Sequence, residues 1–142
     1  MEYIQRVRKT DLARNTSQII RRVQRGQTVL VEHHGHAEAA ILDILDYRIL
    51  RALTSYYTRP PKINPKGLGA QALQNLQDPQ QMYDLVLAHY LAGVISLARA
   101  AELLNIHSLD LQTRFIRLDV PLNRGPKDKQ DAEAEVDVAR NF

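Results

Sequence analysis

The chain has 142 residues, 44% of them hydrophobic, 25% charged and 6% aromatic, which fits one domain or two small ones and excludes a large enzyme, a fibrous repeat and bulk disorder. Its 19 Lys/Arg against 16 Asp/Glu leave a net charge of +3, and the lack of cysteine excludes disulfides, thiolate metal ligands and a cysteine nucleophile. No apolar run is long enough for a membrane span and Met1–Arg6 carries no apolar signal core, so a cytoplasmic protein is expected.

The first segment reads as a small α+β unit. Tyr3 to Val7 suits a short strand, and Thr10 suits the N-cap of a helix with Asp11 in its first turn. Asn15 followed by Gln18 resembles a second capping pair, so two helices are expected to meet near Asn15, with Leu12, Ile19, Ile20 and Val23 on one apolar face. Gly26 should end that stretch, and Thr28-Val29-Leu30-Val31 is β-branched enough for a buried strand. His34-Gly35-His36 supplies a turn, Ala39 to Leu42 a further strand, and Asp43 to Leu53 a closing helix. The expected order is β-α-α-β-β-α.

Arg59-Pro60-Pro61-Lys62-Ile63-Asn64-Pro65-Lys66-Gly67-Leu68-Gly69 then denies both helix and ladder hydrogen bonds, so residues 59–69 read as a linker between a domain at 1–58 and a helical one at 70–124. In the second domain Pro79 to Leu91 has helical apolar spacing and stops at Gly93. Ser96 caps a helix carrying Leu97, Ala100, Ala101, Leu103 and Leu104. Asn105 can take the left-handed turn, Ile106 fills the corner, and Ser108 caps a last helix with Leu111, Phe115 and Leu118 on its inner face. That spacing is a helix-turn-helix, with Asp110, Thr113, Arg114 and Arg117 outward on the second helix. Beyond Gly125-Pro126, residues 125–142 form an acidic tail whose large apolar residues are Val136, Val138 and Phe142.

Charge is unevenly spread: residues 1–59 hold ten basic and six acidic side chains, whereas 127–142 hold three and five. Arg14, Gln18, Arg21 and Arg25 recur at i, i+4, i+7 and i+11, with Arg6, Arg8 and Lys9 upstream. On a nearly continuous helix this makes a basic stripe suited to phosphates, with Thr10, Asn15 and Ser17 adding hydrogen bonds; the alternative is an ordinary solvated face. Arg114 and Arg117 form a second candidate DNA contact, against a structural or partner-binding role for that helix pair. Glu32, His33, His34 and His36 look like metal-ligand material, but strand alternation lets only His34 and His36 converge, so a polar hairpin is the better reading. No Gly-rich phosphate loop and no Gly-x-Ser-x-Gly motif occurs, so no catalytic, cofactor or metal site is expected.

Thr10 to Ser17, Arg22 to Gly35 and Ala40-Ile41-Leu42 together resemble the Phd/YefM antitoxin family over about residues 2–53. The resemblance implies the β-α-α-β-β-α fold, a homodimer, operator DNA held by the first strand and first helix, and a toxin-inhibiting region that follows. Ala13 stands where members often have Arg, which shifts the DNA-contacting role to Arg14 or to Arg8 and Lys9, and Thr28 stands where Pro is common. Gly93 to Leu103, with likeness extending to about Leu122, is similar to a small prokaryotic family of uncharacterised proteins with a helix-turn-helix and an acidic tail, often regarded as antitoxins beside PIN-domain toxins.

Together these imply an antitoxin that represses its own operon as a dimer. DNA would meet Arg6, Arg8, Lys9, Thr10, Arg14, Asn15, Ser17 and Arg21, and a toxin would meet Leu109, Phe115, Val136, Val138 and Phe142. The rival reading is a DNA-binding regulator with no toxin partner.

Overall fold

A computed structural model describes residues 4–122 of the chain, a mixed α+β protein with a three-stranded sheet. It forms two compact units that divide between Tyr47 and Arg48, inside the helix that follows the sheet. Among the described residues no helix is long and apolar enough to cross a membrane.

The first unit runs β1 (Ile4–Arg8), α1 (Lys9–Arg14), α2 (Thr16–Gln24), β2 (Thr28–His33) and β3 (His36–Ile41), followed by α3 (Ile44–Thr58). This is the β-α-α-β-β-α order expected from the residues. β1 pairs parallel with β2, Val7 opposite Val31, and β2 pairs antiparallel with β3, Val29 opposite Ile41. Parallel pairing requires a crossover, which α1 and α2 supply. Ile19 and Val23 of α2 are buried with Val29 of β2, and Val7, Leu12 and Ile41 pack against them. Ile20, expected on that face, is 39% exposed. It lies one helical step of about 100° past Ile19, at the rim of a narrow stripe.

Two expected caps differ. Lys9 is already helical and Arg8 is the extended cap residue (φ −81°, ψ 153°), so Thr10 lies inside α1 instead of capping it. The strand runs straight into the helix. Asn15 does break the helices (φ −125°, ψ 34°), but its side chain makes no cap bond. The backbone bridges the break instead: Asn15 N–H donates to Asp11 C=O at 2.9 Å and Ile19 N–H to Asn15 C=O at 3.0 Å. Gly26 (φ 101°) ends α2, with Gly26 N–H on Val23 C=O and Gln27 N–H on Arg22 C=O. His34 and Gly35 both have positive φ, the form a two-residue hairpin turn favours, so His36 already belongs to β3.

In the second unit the proline-rich segment has no regular element, yet it is fastened down. Asn64 N–H donates to His89 Nε2 at 3.0 Å, and Arg99 Nη2 donates to Leu68 C=O at 3.2 Å, with Leu68 buried. His89 is itself buried, and its Nδ1 lies 2.8 Å from Leu85 C=O. A carbonyl only accepts and a backbone N–H only donates, so these partners assign the proton to Nδ1. A short α4 (Gln71–Gln74) follows, then α5 (Pro79–Leu91), α6 (Leu97–Leu104) and α7 (Ser108–Arg117). Asp78 caps α5, accepting from Gln80 N–H, and Ser96 caps α6, accepting from Arg99 N–H. Asn105 takes the left-handed turn (φ 56°, ψ 44°) between α6 and α7. The cap of α7 is His107, whose Nδ1 accepts from Leu109 N–H at 3.2 Å, so Ser108 is its first helical residue and not the cap. Tyr90, Leu87, Leu104, Leu111 and Phe115 are buried in this unit's core, and the Tyr90 hydroxyl donates to Pro121 C=O at 2.8 Å.

Candidate nucleic-acid interface

Because Ile19 and Val23 turn inward, α2 presents Gln18, Arg21, Arg22 and Arg25 outward, all exposed. The break at Asn15 interrupts the repeat, leaving Arg14 at the end of α1 and the continuous basic face on α2. Among the described residues Arg14, Arg21 and Arg25 have no carboxylate partner. Arg22 Nη1 donates to Gln5 Oε1 at 3.2 Å. Thr10, Asn15 and Ser17 are exposed beside this face. A groove of about 280 Å³ runs between β1 and the two helices, lined by Arg6, Asp11, Asn15, Gln18 and Arg22 with Ile19 at its floor.

The upstream cations behave differently. Arg6 Nη1 donates to Glu32 Oε1 at 2.6 Å, Arg8 Nε to Asp11 Oδ2 at 3.2 Å, and Lys9 Nζ lies 2.5 Å from Glu38 Oε2. The hydrogen bond from Lys9 holds the Glu38 carboxyl below the usual carboxylate range, its charge and that of His33 adding to the effect. Reading along the chain finds the cations and misses these partners. The Arg8–Asp11 pair is local, but Arg6–Glu32 depends on the register, which sets Arg8 opposite Glu32 and so brings Arg6 one diagonal step away on the same face.

Among the described residues no group of three or more His, Cys, Asp or Glu is placed to hold a metal ion. The rings that meet are those of His33 and His34, edge to face at 3.9 Å, not His34 and His36.

On α7 the outward side chains include Leu109 (65% exposed) and Ile116 (54% exposed), with Gln112 and Thr113 between them. Arg114, expected outward, is only 11% exposed in its side chain and is held by Asp110 at 3.2 Å, and Arg117 is half-buried. Phe115, expected among the toxin contacts, is fully buried with its ring 5.2 Å from that of Tyr90. It is a core residue, because it sits at i+4 from the buried Leu111, on the face of α7 opposite Leu109. Val136, Val138 and Phe142 lie outside the described residues.

These features define a small α+β protein with a basic helix face in its first unit and a helix-turn-helix in its second. The chain is 36% identical over 82 residues to a UPF0175 protein of Archaeoglobus fulgidus, a match that covers 57% of this chain and 85% of that protein. The chain belongs to the UPF0175 family. No profile of a known family matches it, and no solved structure does.

Proposed function

We propose that this protein is the antitoxin of a type II toxin–antitoxin pair, binding operator DNA as a homodimer through its first unit and neutralising a protein toxin, such as a PIN-domain nuclease, through the region that follows. The observation that carries the DNA part is the outward face of α2, where Arg21 and Arg25, with Arg14 at the preceding break, have no carboxylate partner among the described residues. Three such cations on a rigid scaffold meet phosphates without first giving up an internal partner. Dimerisation is supported by the small core of this unit, built on Ile19, Val23 and Val29, and by β3, which is exposed along most of its length. The toxin part is supported by the antitoxin-like sequence patterns noted above and by the apolar outward face of α7, where Leu109 and Ile116 stand a heptad apart.

The helix-turn-helix geometry favours a second reading, a DNA-binding regulator with no toxin. Against base readout by that unit stands the chemistry of α7, whose first turn carries Asp110 and whose Arg114 is folded back onto it. Expression of the neighbouring reading frame alone and together with this chain separates the two. Growth arrest relieved by co-expression, with repression of a reporter behind the upstream DNA, is the expected result. A harmless neighbour with repression intact would favour the regulator, and no repression would remove the DNA part of both readings.

A further inference from the structure

We infer that Glu32 and Glu38 act as intramolecular counter-ions that compete with nucleic-acid phosphates for Arg6 and Lys9, so that the β1–α1 cations are recruited only by DNA that displaces these carboxylates. This rests on the DNA reading above and adds a control of the same surface. The four consecutive positions Arg6 to Lys9 contain three cations, and each meets an anion brought by a different element: Glu32 by β2, Asp11 by α1 and Glu38 by β3. A segment that the sequence presents as strongly basic is therefore locally neutral. All three cations remain more than half exposed in their side chains, so a phosphate can reach them, and exposed pairs of this kind are weak enough to exchange. The α2 arginines, which have no such partner among the described residues, make the first contact. Only a duplex seated closely enough to reach β1 and α1 gains the second set, and until the exchange occurs the carboxylates repel its backbone. Glu32 and Glu38 thereby lower the affinity for loosely docked DNA and raise the contrast with a fitted site.

Removing either carboxylate should raise affinity, an outcome that a damaged fold cannot imitate. The full chain and its Glu32→Gln, Glu38→Gln and double variants are titrated with a random-sequence 30-bp duplex across a range of NaCl concentrations. For each protomer engaged, each substitution should tighten binding about two- to fivefold, the range of an exposed ion pair, and steepen the slope of log K against log salt by about one unit. A general effect of added positive charge is separated in two ways. Glu102→Gln, in the second unit, should give no gain. The gain from Glu38→Gln should also vanish in a Lys9→Ala background, and that from Glu32→Gln in an Arg6→Ala background, because the released cation is then missing. If the parent chain binds and its carboxylate variants bind equally, or the gains persist without Lys9 and Arg6, the counter-ion role is overturned while the DNA reading stands. If no variant binds even at low salt, both fall.

Discussion

Helices α2 and α7 each turn an apolar stripe inward and a polar face outward, and each sits where a DNA-reading helix could sit, yet their outward chemistry is opposite. α7 has the better geometry, with the Ser96 cap, the left-handed turn at Asn105 and the His107 cap placing it as the second helix of a helix-turn-helix. α2 has no side-chain cap and follows a broken helix. It is α2 that keeps arginines without carboxylate partners among the described residues, while α7 shows Leu109 and Ile116 and neutralises Arg114 on Asp110. A supersecondary motif sets where a face points, and the residues on that face decide what it can hold.

The largest effect should separate the inner from the outer residues of α7. Phe115→Ala removes a fully buried ring beside Tyr90 and should destabilise the second unit by about 3–5 kcal/mol, read by thermal or denaturant unfolding. A loss within the range of a surface substitution, about 0.5 kcal/mol, would show that the ring is not core. Leu109→Asp with Ile116→Asp is the converse. These residues are exposed, so the fold should hold with a melting temperature near that of the parent, while, on the proposed antitoxin reading, co-expression should no longer relieve growth arrest by the neighbouring product. Full relief by the double variant would remove α7 from the toxin contact.

The smallest effect concerns Glu38. Its carboxyl titrates below the ordinary range in the folded chain because Lys9 bonds to it, so the pair's contribution is present above the ordinary range and is lost as pH falls through the lowered value. The melting temperatures of the parent and Glu38→Gln should therefore differ by on the order of a degree or two at pH 7 and converge as the carboxyl protonates. A difference that grows on acidification would contradict the Lys9–Glu38 pair.

The sequence is legible where the cause of a structure is local. Gly26 needs positive φ to end α2, Asn105 supplies the left-handed turn, and Pro79 and Ser96 mark helix starts, so element order and the helix-turn-helix can be read in advance. Caps are less legible: Thr10 and Ser108 have the right chemistry, but Thr10 is the second residue of α1, behind Lys9, and Ser108 the first of α7, behind the His107 cap. What stays hidden is long-range. Pro60 to Gly69 breaks regular structure, but only the folded second unit shows that His89 and Arg99 fasten it. The cations of β1 and α1 look available until the strand register brings Glu32 near Arg6 and the hairpin brings Glu38 to Lys9.

If DNA is held by the outward face of α2 and not by that of α7, as proposed, salt-dependent binding of operator DNA by the full chain will separate the two faces. Arg14→Ala/Arg21→Ala/Arg25→Ala should weaken binding and lower the slope of log K against log salt by about one unit per lost phosphate contact, up to about five for the six cations of a dimer, while Arg114→Ala/Arg117→Ala leaves both near the parent values. The reverse pattern, with the slope kept in the first variant and lost in the second at unchanged fold, would contradict the assignment and place the DNA on α7.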